Sequence, residues 1–115
     1  MATAFGKELR KLRVDKDENI YDMAKKLGIS ISYLSSIEAG KRKIPNDMVE
    51  RIIEQYRLNK EQSELLKAAE AESSEKIEID LSFMTAEQRK LAFALSRKLS
   101  EITDDECLSI INKLK

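Results

Sequence analysis

The 115-residue chain has no histidine and no tryptophan, one cysteine, one proline and three glycines, and its 21 Lys and Arg are balanced by 21 Asp and Glu. Each shortage excludes something. Without histidine the commonest general base is missing, and the carboxylates are scattered along exposed helix faces with no glycine-rich phosphate loop near them, so the chain does not read as an enzyme. Cys107 alone cannot form an internal disulfide, and with no histidine beside it there is no zinc-ligand set; no metal or cofactor is expected. Cys107 reads instead as a buried helix residue. No stretch is apolar for the length a membrane span requires, and the N-terminus lacks the basic start and apolar run of a secretion signal, so a cytoplasmic protein without a membrane partner is expected. Aromatic residues make up 5% and charged residues 37%, a profile of short exposed helices rather than of a β-sandwich. The length leaves room for one proper core, with or without an appendage.

The overall neutrality hides an uneven distribution. Residues 1–58 carry a net of +3, residues 59–81 a net of −4 and residues 82–115 a net of +1. Only the first segment has a sign that suits a polyanion, and local clusters matter there more than the total.

The most informative stretch is IYDMAKKLGISISYLSSIEAGKRKIP, residues 20–45. Met23, Ala24 and Leu27 recur at helical spacing, and Gly28 follows where a short helix stops and the chain needs a positive φ. Ile29 is apolar inside a polar turn and plugs the angle between two helices, while Ser30 is placed to cap the second. That second helix runs from Ile31 to Ala39, with Leu34 and Ile37 facing inward. Ser32, Ser35 and Ser36, with the ends of Ile31 and Tyr33, remain on an outer face that is small and carries no charge. A helix entering the major groove needs such a face, because long carboxylates would repel phosphates and bulk would keep the backbone from the base edges. Gly40 ends the helix, and Lys41, Arg42 and Lys43 follow where a groove-bound helix would deliver the chain to the sugar-phosphate backbone.

With GKELRKLR upstream, these residues closely resemble the xenobiotic-response-element family, the repressor/Cro type of helix-turn-helix domain, over about residues 4–70. The resemblance implies five helices around one small core, with Ile20–Leu27 as the first motif helix and Ile31–Ala39 as the recognition helix. It implies base-edge contacts from Ile31, Ser32 and Ser36, and phosphate contacts from Asn19, Ile20 and Tyr21, from Tyr33, and from Lys41 and Lys43. It further implies an ion pair between Arg13 and Glu38 that fixes the recognition helix against the first. One departure is visible: Ile20 stands where many members have a glutamine that meets a phosphate, so only backbone N–H groups can serve there. The recognition helix also lacks the Gln, Asn and Arg that read purines by paired hydrogen bonds, so specificity leans on Arg42, methyl contacts and DNA shape.

Elsewhere, Ala4–Val14 reads as the first helix, with Phe5, Leu9 and Leu12 on one face. Asn19 caps the next helix; Pro45 marks the start of a fourth, carrying Met48, Val49, Ile52, Ile53 and Tyr56. Asn59 with Gln62 opens a fifth with Leu65, Leu66 and Ala69, and the DNA-binding domain, residues 1–72, ends in the acidic connector AEAESSEK. Residues 73–115 then read as a dimerisation region. KIEIDL, residues 76–81, alternates charged and apolar residues and is expected as a strand, with Ile77, Ile79 and Leu81 on one side. One strand cannot satisfy its own backbone, so the same strand of a second subunit is its expected partner, the alternative being an extended linker whose isoleucines pack on a neighbouring helix. Thr85 with Gln88 and Thr103 with Glu106 open helices over about 86–100 and 104–115. Their stripes, Leu91, Ala92, Leu95 and Leu99, then Leu108, Ile111 and Leu114, also demand a partner.

The sequence therefore predicts a mainly α protein: a five-helix repressor/Cro-like domain followed by a β-strand and two C-terminal helices. It reads as a homodimeric, sequence-specific repressor of bacterial or phage origin, binding double-stranded DNA at an inverted repeat and regulating its own promoter. The alternative is the antitoxin of a toxin-antitoxin pair, holding a basic toxin through the acidic segment from Glu70 to Asp80 or through the tail helices.

Overall fold

Thr3 opens the first helix: its hydroxyl accepts the Gly6 N–H at 3.1 Å, and α1 runs over Ala4–Asp15. The computed structural model describes residues 2–115, which fall into two compact units, one ending at Ile77 and one spanning Glu78–Lys115.

The first unit holds α1, α2 (Ile20–Leu27), α3 (Ile31–Glu38), α4 (Met48–Tyr56) and α5 (Lys60–Ser73). Its core takes Phe5, Leu9 and Leu12 from α1, Met23, Ala24 and Leu27 from α2, and Leu34 and Ile37 from α3. Met48, Val49, Ile52 and Tyr56 from α4 and Leu66 from α5 complete it. Phe5, Leu9, Met23, Leu34 and Ile52 are fully out of water, and each side chain of this size contributes ~1.5–3 kcal/mol by its burial. Ile29 packs against this cluster, as do Ile20 and Tyr33, so the turn between α2 and α3 is pinned from below.

The helix starts follow the capping chemistry of the sequence. Asn19 with Asp22, Asn59 with Gln62, Thr85 with Gln88 and Thr103 with Glu106 all form reciprocal capping boxes. Gly28 closes α2 at φ +69°, and the Ile29 N–H donates to the Ala24 carbonyl at 3.0 Å, a left-handed cap that a side chain would strain. The Arg51 guanidinium donates to the Leu27 carbonyl and satisfies a second orphan acceptor at the same helix end.

Several details differ from the sequence expectation. The fourth helix does not begin at Pro45: Pro45 accepts the Met48 N–H at 3.1 Å in a tight turn, and α4 starts at Met48. Ala39 is the C-cap of α3 rather than its last helical residue. The strand over residues 76–81 is not seen, and the described residues contain no strand. This segment is irregular, with Ile77 and Ile79 79% and 56% exposed. The alternation of KIEIDL supplies a face, but no other segment of the chain offers a ladder, and an unpaired strand gains no hydrogen bonds.

The second unit holds α6 (Ala86–Lys98), a single 3-10 turn at Leu99–Glu101, and α7 (Asp104–Leu114). Neither helix has a buried residue. Cys107, expected to be buried, is only half-buried, because α6 and α7 do not form a closely packed hairpin that could enclose it.

Behind the motif, Glu18 ties three elements together. One of its oxygens accepts the Tyr56 hydroxyl at 2.7 Å, the other pairs with Lys26, and the Lys26 ammonium lies 4.8 Å from the Tyr56 ring centre. Burial opposes ionisation of Glu18, but hydrogen bonds from Lys26 and Tyr56 and the Lys26 charge outweigh it and hold the carboxyl below its ordinary range. Burial first, and then the Glu18 hydrogen bond and charge, push the Tyr56 phenol far above its ordinary value. Glu70 is shifted oppositely: burial, followed by the charge of Glu50, holds it above the usual carboxyl range.

The signs of these shifts predict opposite pH dependences. Because the folded state favours ionised Glu18, its stabilisation is complete above the unfolded carboxyl pKa of about 4.3 and is lost as pH falls through the lower folded value. Glu18→Gln is therefore expected to destabilise at pH 7 and to converge on the parent in acid. Glu70→Gln is expected to stabilise above the raised folded pKa and to have no effect below about 4.3. Urea unfolding of each variant at pH 7 and pH 3.5 checks both.

Candidate nucleic-acid interface

The recognition helix is small. Eight residues, Ile31–Glu38, follow Ser30, whose hydroxyl accepts the Tyr33 N–H at 3.1 Å. Leu34 and Ile37 are buried, and α2 packs across the helix. On the other side Ile31 is 43% exposed, Ser32 and Ser35 are exposed, and Ser36 is half-buried. The only charged side chain of α3 is Glu38, and it is turned away from that outer face into the protein.

Glu38 is held at both of its polar ends by α1 and its cap. Its carboxylate receives both arms of the Arg13 guanidinium, at 2.6 and 3.0 Å, with the two side chains only 7–8% exposed. Its carbonyl, one of the orphan acceptors at the end of α3, receives both the Thr3 N–H and the Thr3 hydroxyl, each at 3.0 Å. Thr3 therefore caps α1 and closes α3 with one side chain. The backbones meet so closely here that a Cβ on Gly6 would lie 2.3 Å from the Glu38 carbonyl oxygen. Gly6 is present because nothing larger fits between the two helices.

Gly40, at φ +79°, then turns the chain. The Lys41 and Arg42 N–H groups both return to the Ser36 carbonyl, at 2.9 and 3.2 Å, so the basic segment is folded back against the helix end. The Arg42 guanidinium lies 5.7 Å from the Tyr33 ring centre, a cation–π contact that places an exposed cation beside the helix. Lys41, Arg42 and Lys43 are all exposed.

Several side chains named from the sequence have structural work here. The Asn19 side chain accepts the Asp22 N–H at 2.8 Å, and the Asn19 N–H is itself bound to Asp22 at 3.0 Å. The open N–H groups at the start of α2 are therefore those of Ile20 and Tyr21 rather than that of Asn19. Ile20 packs against the core while Tyr21 is 57% exposed. Tyr33 is half-buried with its ring on the core. Thr3 and Gly6 were not singled out by the sequence reading. The signals were present: a threonine at a helix start, and an isolated glycine in an otherwise helical pattern, which costs ~1 kcal/mol and usually marks a close approach.

A two-helix motif with its outer face free of carboxylates and a basic exit defines a DNA-binding helix-turn-helix unit. A family model described as a helix-turn-helix domain matches residues 4–66, and the chain belongs to that family, within the repressor/Cro type. No curated protein and no solved structure gives a significant match to the chain.

Two substitutions separate the grips on Glu38. Glu38→Gln leaves the buried guanidinium without a counter-charge and is expected to cost roughly 3–5 kcal/mol, the usual loss when one partner of a buried pair is removed; urea denaturation measures it. Gly6→Ala forces α1 and the end of α3 apart and is expected to weaken binding to a specific site more than binding to random DNA. Equal losses on both DNAs, by anisotropy, would show that Gly6 does not position the helix.

Proposed function

We propose that this protein is a sequence-specific transcriptional regulator that binds double-stranded DNA as a homodimer at an inverted repeat and represses, its own promoter being the natural target. The observation that carries the reading is the charge layout of the recognition helix. Its one carboxylate is locked inward on Arg13, its outer face offers Ile31, Ser32, Ser35 and Ser36, and three consecutive cations begin three residues after its last turn. Such a surface approaches base edges and thymine methyls closely while Lys41, Arg42 and Lys43 meet phosphates. With no long amide or guanidinium on the outer face, sequence reading relies on Arg42, on methyl contacts and on groove shape.

An eight-residue helix reads only a few base pairs, so two copies on two half-sites are needed for useful selectivity. The exposed apolar residues of α6 and α7 supply a reason for two copies to meet. Repression follows from occupying DNA that a polymerase needs. A chain with this chemistry works in the cytoplasm.

The antitoxin reading has one observation in its favour, the acidic run through Glu70, Glu72, Glu75, Glu78 and Asp80, which suits a basic protein. It predicts that the chain alone binds its promoter poorly and that a co-expressed basic partner restores affinity.

Fluorescence anisotropy of full-length protein on the DNA upstream of its own gene, against a scrambled fragment at two salt concentrations, tests the reading. Selective binding by the protein alone is expected. Arg42→Ala or Lys43→Ala should weaken binding to both fragments and reduce the slope of log K against log salt by about one; an unchanged slope would remove the phosphate assignment.

A further inference from the structure

α7 carries its charges in two opposed blocks. Asp104, Asp105 and Glu106 fill the first turn, Lys113 stands in the last and Lys115 follows it. Among the residues between and beside them, Leu108 is 58% exposed, Ile110 39%, Ile111 48% and Leu114 78%, with Ser109 and Asn112 interspersed. At about 100° per residue, Cys107, Ile110, Ile111 and Leu114 share one side, while Leu108 lies outside it, beyond Asp104 and Lys115. Asp104 and Lys115 then border this face on one flank, and Glu106 and Lys113 on the other. Favourable charge at helix ends explains the acid-to-base polarity. It does not explain an apolar face left in water between the two blocks.

We infer that α7 is a self-association helix that pairs antiparallel, across a twofold axis, with α7 of a second copy of this chain. An axis passing between Ser109 and Ile110 sets Asp104 against Lys115 of the second copy and Glu106 against Lys113, with Ile110 and Ile111 beside the axis, and the symmetry makes every contact twice. Glu106 can serve although it caps its own helix, because Thr103 uses only Oε1. The charge pattern selects a reversed helix of the same polarity, which α7 of a second copy supplies. A parallel pair would place acid on acid, and a uniformly basic or acidic partner would match one end of α7 and repel the other. The inference rests on the homodimeric reading above and names its surface. It also removes the need for the strand expected over residues 76–81.

Two short helices make a small interface, so the association is expected to depend on protein concentration, with the apolar face giving affinity and the charges giving direction. Sedimentation velocity of the full chain over a concentration series reads it. Lys113→Glu with Lys115→Glu makes α7 acidic at both ends, and Asp104→Lys with Asp105→Lys makes it basic at both ends. Each double variant alone is expected to weaken dimerisation, the acidic one at least tenfold, and a one-to-one mixture, which restores three of the four ion pairs, is expected to recover most of it. Circular dichroism shows whether the helix persists in each, and Ile111→Gln, which keeps all charges, is a second variant expected to dissociate the dimer. Charge-reversed chains that dimerise like the parent, helical variants that stay monomeric when mixed, or an Ile111→Gln chain with parental dimerisation would each overturn the α7 pairing while leaving a dimer formed elsewhere. A parent chain that is monomeric at all concentrations would overturn the homodimeric reading too, and the anisotropy measurement would still decide DNA binding separately.

Discussion

Glu38 is the residue through which the first helix controls the recognition helix. Its carboxylate is clamped by Arg13 and its carbonyl by Thr3, so the last turn of α3 is fixed in both rotation and distance relative to α1. Gly6 lets the helix backbones meet at the Glu38 carbonyl, where the Thr3 donors satisfy it, while Arg13 holds the carboxylate further along α1. A buried ion pair is weak evidence for stability, since desolvation offsets much of its attraction. Its use here is orientation: a charge that would face phosphate is turned inward, and the turn at Gly40 starts from a fixed point.

The same anchoring governs the basic segment. Lys41 and Arg42 return their N–H groups to Ser36, so the cations begin at a defined place relative to the outer face of α3. Arg42 is further held beside Tyr33, whose ring rests on the core. A chain of contacts therefore runs from the core through Tyr33 to an exposed cation. Ile29 and the Arg51 contact with Leu27 do the corresponding work at the other end of α3, fixing the entry angle after Gly28. Eight residues of recognition helix need this much support because a short helix has little stability of its own.

Most of the first unit was legible in the sequence because its signals are local. Asn19, Ser30 and Asn59 announce helix starts by side-chain chemistry, Gly28 and Gly40 announce turns by their backbone freedom, and the spacing of Phe5, Leu9 and Leu12 announces a buried face. The grips on Glu38 were legible in part. Arg13 with Glu38 came from family resemblance, whereas the Thr3 contact spans 35 positions and no periodicity encodes it. Pro45 was misread as a helix start because its fixed φ suits a first helical turn and a tight turn equally well. KIEIDL was misread as a strand for a different reason. Alternation specifies which residues share a side, but a strand also requires a partner, and pairing is not a property of the segment.

The two units differ in how their sequences solve burial. In the first, five helices contribute to one core and the outer faces are left polar, apart from scattered residues such as Val14 and Leu65. In the second, capping boxes at Thr85 and Thr103 specify the helix starts as well as any in the chain, yet α6 and α7 enclose nothing. Good caps without burial stabilise a helix only marginally, because most helix stability in proteins comes from tertiary packing. Phe83, Leu91, Leu108 and Leu114, the most exposed apolar residues of this unit, are thus the residues with most to gain from a partner. The blocks of opposite charge at the two ends of α7 restrict which partner can collect that gain: a reversed copy of the same helix satisfies both ends at once. For a DNA-binding protein this arrangement has a further consequence. Under the proposed pairing, dimerisation through a weak surface outside the motif would let two half-sites and the protein's own concentration set occupancy together, so that a repressor of its own promoter would respond to its own abundance.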